Sequence, residues 1–390
     1  MKVAIMNEFL RYGGTEVQTE REVTAFRKRG HEVILITFDP SEPKLETAEW
    51  CNYPLRSSML NTIVGKIAPI PSITREIKRT LRAFNPDIVH INNVISAPIS
   101  AYVVARKYPS VMTIRDYSAV CPKGTCIFDD GTGCDGYRYA KCYSRCARAH
   151  PKLLAKIPYY LYRSSLRKIC FDAFLCPSDA LSKACSTTFA RTQCVNNPFD
   201  FSYEIDKCLD SKIKRYFYYG SIEENKGVSQ LFEAWASFSK DKHDVELLLA
   251  GSIAKGYSDS FASLLDATPN ARYLGSLSSS EIKKTYPYLY CVVVPSLWLE
   301  NYPNTVLEAL AYKTLVIGSS RGGIPELIDN QDRLFDINNI NEFVNALEYS
   351  YNLRPEEYRK ITCESFRKVL KNNSIEHYYL KLMSIYDSIL

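Results

Sequence analysis

Residues 291–328 read CVVVPSLWLENYPNTVLEALAYKTLVIGSSRGGIPELI, and the order of apolar runs and breaks in them decides the fold. Residues 291–294 are a short, mostly β-branched run of the kind buried on both faces of a sheet, closed by Pro295 and Ser296. A loop carrying Glu300 follows. Asn304 and Thr305 are natural N-caps, and the helix formers of 306–312 predict a helix starting just after Pro303, with Glu308 about one turn inside it. Residues 314–317 return as a second buried strand, and Gly322, Gly323 and Pro325 break the chain before a short helical piece. Together they predict a β-loop-α-β unit.

In such a unit the loop leaving the strand and the first helical turn lie at the carboxyl edge of a parallel sheet, where ligands bind. Unpaired helix N–H groups and the positive dipole end favour a phosphate there. Glu300 on the loop and Glu308 on the helix can each accept sugar hydroxyls, so the chemistry expected is that of a phosphorylated sugar. Two glutamates by themselves read better as a solvated helix residue and a loop residue, and it is their context that argues for a site.

The same alternation extends to both sides. Residues 1–6 and 32–38 are strands around a helix at 15–29 stopped by Gly30, with further strands at 86–91, 111–114 and 174–176 and helical material at 96–107. This is α/β patterning with a parallel sheet covered by helices. The segment VNNPFD at 195–200 marks a loop and a domain junction. A second alternation follows, with strands expected at 216–219, 245–249, 272–274, 291–294 and 315–317 and a helix at 229–239.

A length of 390 residues fits two or three domains of about 100 to 200 residues each. With 46% hydrophobic and 24% charged residues the composition is that of a globular protein. A net charge of +6, from 49 basic and 43 acidic residues, gives no argument for a nucleic-acid partner. No stretch approaches the roughly 20 apolar residues of a membrane-spanning helix. The N-terminus reads as a strand and not as a signal peptide, so a cytoplasmic protein is expected. Its 13 cysteines are then expected to be thiols or metal ligands instead of disulfides. Residues 151–170 and 73–84 are basic, part-apolar helices. Each is either a surface for an anionic membrane or a half-buried helix with snorkelling Lys and Arg.

The run of strand, Glu300, Pro-containing loop, Leu-Glu-Ala-Leu helix, strand and Gly-Gly-x-Pro-Glu closely resembles the signature of the retaining glycosyltransferases of family 4, the glycosyl transferases group 1. The resemblance implies an α/β GT-B fold, two Rossmann-like domains with parallel sheets facing across a cleft. Residues 1–198 would bind the acceptor and 199–374 the nucleotide-sugar donor, with a last helix at about 375–390 packing back on the first domain.

It also implies roles. Glu300 would contact the donor sugar and Glu308 the ribose, with the backbone amides of 301–305 (Asn301, Tyr302, Asn304 and Thr305 among them) near the diphosphate. Gly13 and Gly14 form a tight turn after the first strand, matching the family's glycine-rich turn toward the donor. In GSIEENKG at 220–227, Lys226 matches the family's diphosphate-binding lysine, while Ser221 stands where the family has an arginine. In VMTIRDYSAVC at 111–121, Arg115 replaces a histidine, and a guanidinium stays cationic. Arg115 is therefore a candidate for the cation lacking at Ser221.

The activity implied is retaining, metal-independent transfer with no cofactor, from a UDP- or GDP-linked sugar to a glycan or lipid-linked oligosaccharide of bacterial surface polysaccharide. The protein would then work in the cytoplasm, at the inner face of the cell membrane if it makes peripheral membrane contact. Two other readings stand beside it. A two-carboxylate hydrolase leaves Lys226 and the second Rossmann-like half without purpose. A degenerate GT-B partner protein that only binds nucleotide sugar is kept alive by Ser221 and Arg115. His90 reads as a packed, hydrogen-bonded residue at the end of a strand. Cys121, Cys126, Cys134, Cys142 and Cys146 lack two clean C-x-x-C pairs, which leaves zinc ligands and free thiols both open.

Overall fold

The computed structural model describes residues 1–8, 14–38, 49–52, 59–94, 98–134, 136–201, 207 and 212–390. It divides into two compact units, one of Met1–Phe128, Thr132–Asp200 and Asn373–Leu390, the other of Asp129–Gly131 and Phe201–Asn372. The division after Asp200 lies two residues beyond the expected boundary at 198.

The first unit opens with β1 (Lys2–Asn7), α1 (Gly14–Arg27), β2 (Glu32–Thr37), β3 (Glu49–Asn52), α2 (Met59–Ile67) and α3 (Pro71–Phe84). It continues through β4 (Ile88–Asn93), α4 (Pro98–Ala105), β5 (Ser110–Thr113), α5 (Tyr139–Lys141) and α6 (Leu153–Cys170) to β6 (Ala173–Cys176), α7 (Asp179–Ser186) and β7 (Thr192–Cys194). The seven strands form one sheet in the order β3-β2-β1-β4-β5-β6-β7, every pair parallel. Parallel strands need helical crossovers, and helices on both faces bury both sides of each strand. Hence β1, β2, β4, β5 and β6 are almost wholly buried instead of alternating.

The second unit has β8 (Lys214–Tyr219), α8 (Val228–Ser239), β9 (Val245–Ala250), α9 (Ser258–Asp266), β10 (Ala271–Tyr273), α10 (Ser279–Thr285), β11 (Cys291–Val294) and α11 (Asn304–Ala311). Then come β12 (Leu315–Ser319), α12 (Ile324–Leu327), β13 (Leu334–Phe335), α13 (Ile340–Tyr351) and α14 (Pro355–Asn373), after which the chain returns to the first unit as α15 (Ile375–Asp387). The sheet of the second unit runs β10-β9-β8-β11-β12-β13, again all parallel. Each unit is thus Rossmann-like, with its strand order reversing once. The core of this unit is centred on α8, where Trp235 is fully buried and its indole N–H donates to the Pro269 carbonyl at 3.1 Å.

Helix α15 belongs to the first unit. Its Tyr378, Leu382, Ile385 and Tyr386 share a core with Val3 and Ile5 of β1, Leu35 of β2, Ile88 of β4 and Val23 and Phe26 of α1. Phe26 and Tyr386 stack with ring centroids 5.7 Å apart. An isolated parallel bridge between Phe199 and Ser374 brings the returning chain beside the outgoing one.

Two local expectations are corrected. Asn304 and Thr305 are not N-caps: Pro303 holds the cap position in extended geometry with no side-chain cap bond, and Thr305 Oγ1 instead donates to the Tyr219 carbonyl at 3.4 Å. His90 lies in the middle of β4, not at its end, because β4 runs on to Asn93.

Candidate active site

In an open parallel sheet the crevice for ligands lies at the carboxyl ends of the two strands where the order reverses, since the crossovers on either side lead away from that point. In the second unit those strands are β8 and β11. The loops leaving them, 220–227 and 295–303, are laced together: the amides of Leu297 and Trp298 donate to the Asn225 carbonyl at 3.1 and 3.2 Å. Gly227 has φ +70°, and a Cβ on it would sit 1.8 Å from the Pro295 carbonyl oxygen. Gly227→Ala must therefore push the two loops apart. The expected result is loss of nucleotide binding with a Tm several degrees lower, read by calorimetric titration and thermal unfolding.

On this floor Lys226 Nζ donates to Glu300 Oε1 at 2.8 Å. The same oxygen accepts from Ser296 Oγ at 2.9 Å, and Ser296 in turn accepts at its carbonyl from Ser319 Oγ at 2.7 Å. The Glu300 backbone is held separately, its carbonyl accepting from the Gly323 amide at 2.6 Å. Gly322 permits this approach, because a Cβ there would meet the Glu300 carbonyl at 2.1 Å. The Lys226 and Glu300 side chains are 30% and 17% exposed, so the pair is partly desolvated yet open on one side. Charge-assisted pairs of this kind are stronger than exposed ones and can still exchange partners with a ligand.

Ser221 is tied into the same loop. Its Oγ donates to Glu223 Oε1 at 2.7 Å and its carbonyl accepts from the Tyr218 hydroxyl at 2.6 Å. Burial, then the carboxylates of Glu300 and Glu223, push the Tyr218 phenol up, so it stays a neutral donor. Glu308 is half-buried on α11. After burial itself, its charge is the next cause that raises the phenols of Tyr219, at the end of β8, and Tyr286, just after α10. Asn301 and Asn304 are half-buried and Tyr302 buried beside Glu300, and no side chain caps the N-terminus of α11. The structure thus gathers Ser221, Lys226, Glu300, residues 301–305 at the loop end and start of α11, and Glu308 around one sheet edge. Ser296, which fixes Glu300, was not singled out from sequence; its only signal was its place directly after a buried strand.

The other expected site residues belong to the first unit. Gly14 opens α1, while Gly13 lies outside the described residues. Arg115, just past β5, donates from Nη1 to Asn197 Oδ1 at 2.8 Å and from Nη2 to Asn92 Oδ1 at 3.0 Å. Asn92 Nδ2 donates onward to Glu22 Oε2 at 2.9 Å. His90 Nδ1 lies 2.6 Å from Glu22 Oε1 and 2.7 Å from the Tyr386 hydroxyl, and its Nε2 lies 2.6 Å from Thr113 Oγ1. His90 is packed and hydrogen-bonded, and Glu22, its fully buried partner, went unrecognised in the sequence because one Glu on a polar-faced helix carries no signal. Burial works to raise the Glu22 carboxyl, but the His90 charge, hydrogen bonds from His90 and Asn92, and the Arg115 charge outweigh it and hold it below its ordinary value.

Cys121, Cys126 and Cys142 are in no disulfide, and among the described residues no group of three or more His, Cys, Asp or Glu has the geometry to hold a metal. Cys121 accepts from the Cys126 thiol and from the backbone amides of Cys126, Gly124 and Lys123, which pulls it down to about 6 against the effect of burial.

A family model described as Glycosyltransferase Family 4 matches residues 12–201, and one described as Glycosyl transferases group 1 matches residues 205–368. An uncharacterized glycosyltransferase of Methanocaldococcus jannaschii is 29% identical over 119 residues, which spans only 30% of this chain and 30% of that relative. Among solved structures, Anabaena HepE in complex with UDP superposes with a TM-score of 0.75 at 13% identity over 100% of both chains. Sucrose-phosphate synthase from Thermosynechococcus elongatus gives 0.74 at 14% identity over 100% of this chain and 98% of that one. A glycosyltransferase from Rickettsia africae gives 0.70 at 16% identity, with the same coverage.

Proposed function

The chain belongs to the family 4 glycosyltransferases and has the GT-B fold, and from that premise we propose that it moves a sugar with retention of configuration from a nucleotide-sugar donor to a glycan acceptor. The observation that carries the reading is the Lys226–Glu300 pair at the carboxyl edge between β8 and β11. Breaking an anomeric C–O bond places negative charge on the departing diphosphate and positive charge on the sugar ring. Lys226 and the uncapped N-terminus of α11 meet the first, and Glu300 accepts donor-sugar hydroxyls beside the second. Glu308 accepts from the ribose. Anabaena HepE, whose structures contain UDP and glucose, supports a UDP-linked donor.

Lys226 and the helix end supply the positive charge, so the reaction is assigned no metal and no cofactor. The acceptor class is a lipid-linked oligosaccharide of bacterial surface polysaccharide, and the place of work the inner face of the cell membrane. Arg115, bonded to Asn92 and Asn197, acts in the first unit as a cation that orders these asparagines. Gly13 and Gly14 are assigned to the donor side of that unit.

One observation favours a second reading. Ser221 is bonded to the Glu223 carboxylate, so a negative charge stands where the family's second phosphate-binding cation would be. A nucleotide-sugar-binding partner protein without turnover would fit that arrangement. A thermal-shift panel of nucleotide sugars identifies the donor under either reading. Lys226→Ala is expected to weaken UDP or GDP binding about 10- to 100-fold and to leave the free nucleoside unaffected, since only the phosphates lose a charge-assisted bond. Equal effects on nucleotide and nucleoside would remove Lys226 from the diphosphate site.

A further inference from the structure

Helices α2 and α6 of the first unit expose aliphatic side chains far beyond what a surface helix needs. Ile63, Val64 and Ile67 stand out on α2, with Ile67 54% exposed. Leu154, Leu161 and Ile169 form an outward stripe on α6, with Leu154 51% and Ile169 54% exposed. The two helices both pack on α4. The Tyr162 hydroxyl, on the exposed side of α6, donates to the Ile67 carbonyl at 2.7 Å, so the two apolar stripes adjoin.

The charge that the two helices carry is of one sign. Neither α2 (MLNTIVGKI) nor α6 (LLAKIPYYLYRSSLRKIC) contains an Asp or Glu. Lys156 and Lys168 are exposed on α6 with Lys152 directly before it, and Lys66 is on α2. At the N-terminal end of α6 a cavity of about 420 Å³ is lined by Lys123, His150, Lys152 and Lys156, with Leu153 at its apolar side. Aliphatic side chains and a tyrosine flanked by lysines, with no carboxylate, are complementary to an anionic bilayer: acyl chains take the former and phosphates the latter. A protein partner of ordinary mixed charge gains nothing from the missing carboxylates. At 18 residues α6 is about 27 Å long, enough to lie flat along the interface over several lipids.

We infer that the α2–α6 face docks on an anionic phospholipid surface, with the Lys123–His150–Lys152–Lys156 cavity holding a lipid phosphate. This deepens the reading of the acceptor as lipid-linked and rests on it only for its purpose, because the surface itself stands on the first unit alone.

The test is co-sedimentation of the whole protein with vesicles of phosphatidylcholine, or of phosphatidylcholine with about 30% phosphatidylglycerol, at low and high salt. Binding is expected to the anionic vesicles, at least tenfold tighter than to neutral ones, and to fall with salt. Lys152→Gln, Lys156→Gln and Lys168→Gln should each weaken it about fivefold. The pair Leu161→Ser and Ile169→Ser should weaken it at least tenfold at any salt, with circular dichroism and Tm unchanged because these side chains are exposed. Equal binding to both vesicle types, no binding to either, or variants that bind as the parent does would overturn the inference. So would a concentration-dependent dimer dissolved by the same two serines, because the face would then belong to a second copy. Release of nucleotide with a detergent-solubilised acceptor, measured on the same variants, is expected to be unchanged. Its loss in the parent protein would count against the proposed reaction and not against the docking face.

Discussion

Replacing Glu300 by alanine lowers turnover about a hundred- to a thousandfold while nucleotide diphosphate binding stays as tight or tightens. The opposition of the two effects comes from the pair itself. Glu300 Oε1 is 2.8 Å from Lys226 Nζ, so without a ligand the lysine's charge is partly cancelled. Removing the carboxylate frees Lys226 for the diphosphate but takes away the acceptor for donor-sugar hydroxyls beside the reacting carbon. The loop should keep its place, because the Glu300 carbonyl is held by the Gly323 amide and that bond is backbone to backbone. With the pair partly exposed, the stability change should be about 1 kcal/mol or less. Calorimetric titration with UDP or GDP beside steady-state kinetics separates the two effects. Parallel losses of affinity and turnover would mean that Glu300 only shapes the loop.

Replacing Glu22 by alanine should destabilise the first unit by about 3–5 kcal/mol, the usual cost of leaving a buried charge without its partner. Glu22 and His90 are both 0% exposed in their side chains, and Asn92, Thr113 and Tyr386 complete the network between α1, β4, β5 and α15. Denaturant unfolding of the variant reads the loss directly, and Glu22→Gln, which can keep the Asn92 bond, should lose less. The dependence on pH has a definite sign. The folded-state carboxyl is held below its ordinary value of 4.5, so its contribution is complete above about that pH and is lost as pH falls through the lower folded value. The parent protein should therefore lose stability more steeply than Glu22→Gln below about pH 4.5. Parallel acid curves would show that Glu22 carries no charge-dependent stabilisation.

The fold was legible where the chain is most buried. Strand β11 occupies 291–294 as its uninterrupted apolar run indicates, since a strand covered on both faces must be apolar at every position. Edge and very short strands escaped: β3, β7 and β13 have four, three and two residues, too few to show a period. The N-cap was misassigned because Asn304 and Thr305 have the right chemistry one or two positions late, and Pro303 was already extended. At the candidate site, residue types and their loop positions could be read one by one. That Lys226 and Glu300 meet could not, since 74 residues separate them and only the reversal of strand order at β8 and β11 brings their loops together. The tie between Ser221 and Glu223 was hidden for a different reason, because a local hydroxyl-carboxylate bond leaves no pattern in the sequence.

The most direct measurement is nucleotide release from the donor that binds in the thermal-shift panel, with and without a lipid-linked acceptor extract, for the parent protein and Glu300→Ala. The expected result is release by the parent only when acceptor is present, a product with the donor's anomeric configuration by NMR, and almost no release by Glu300→Ala. Tight donor binding with no release under any acceptor, or equal release by both proteins, would contradict it.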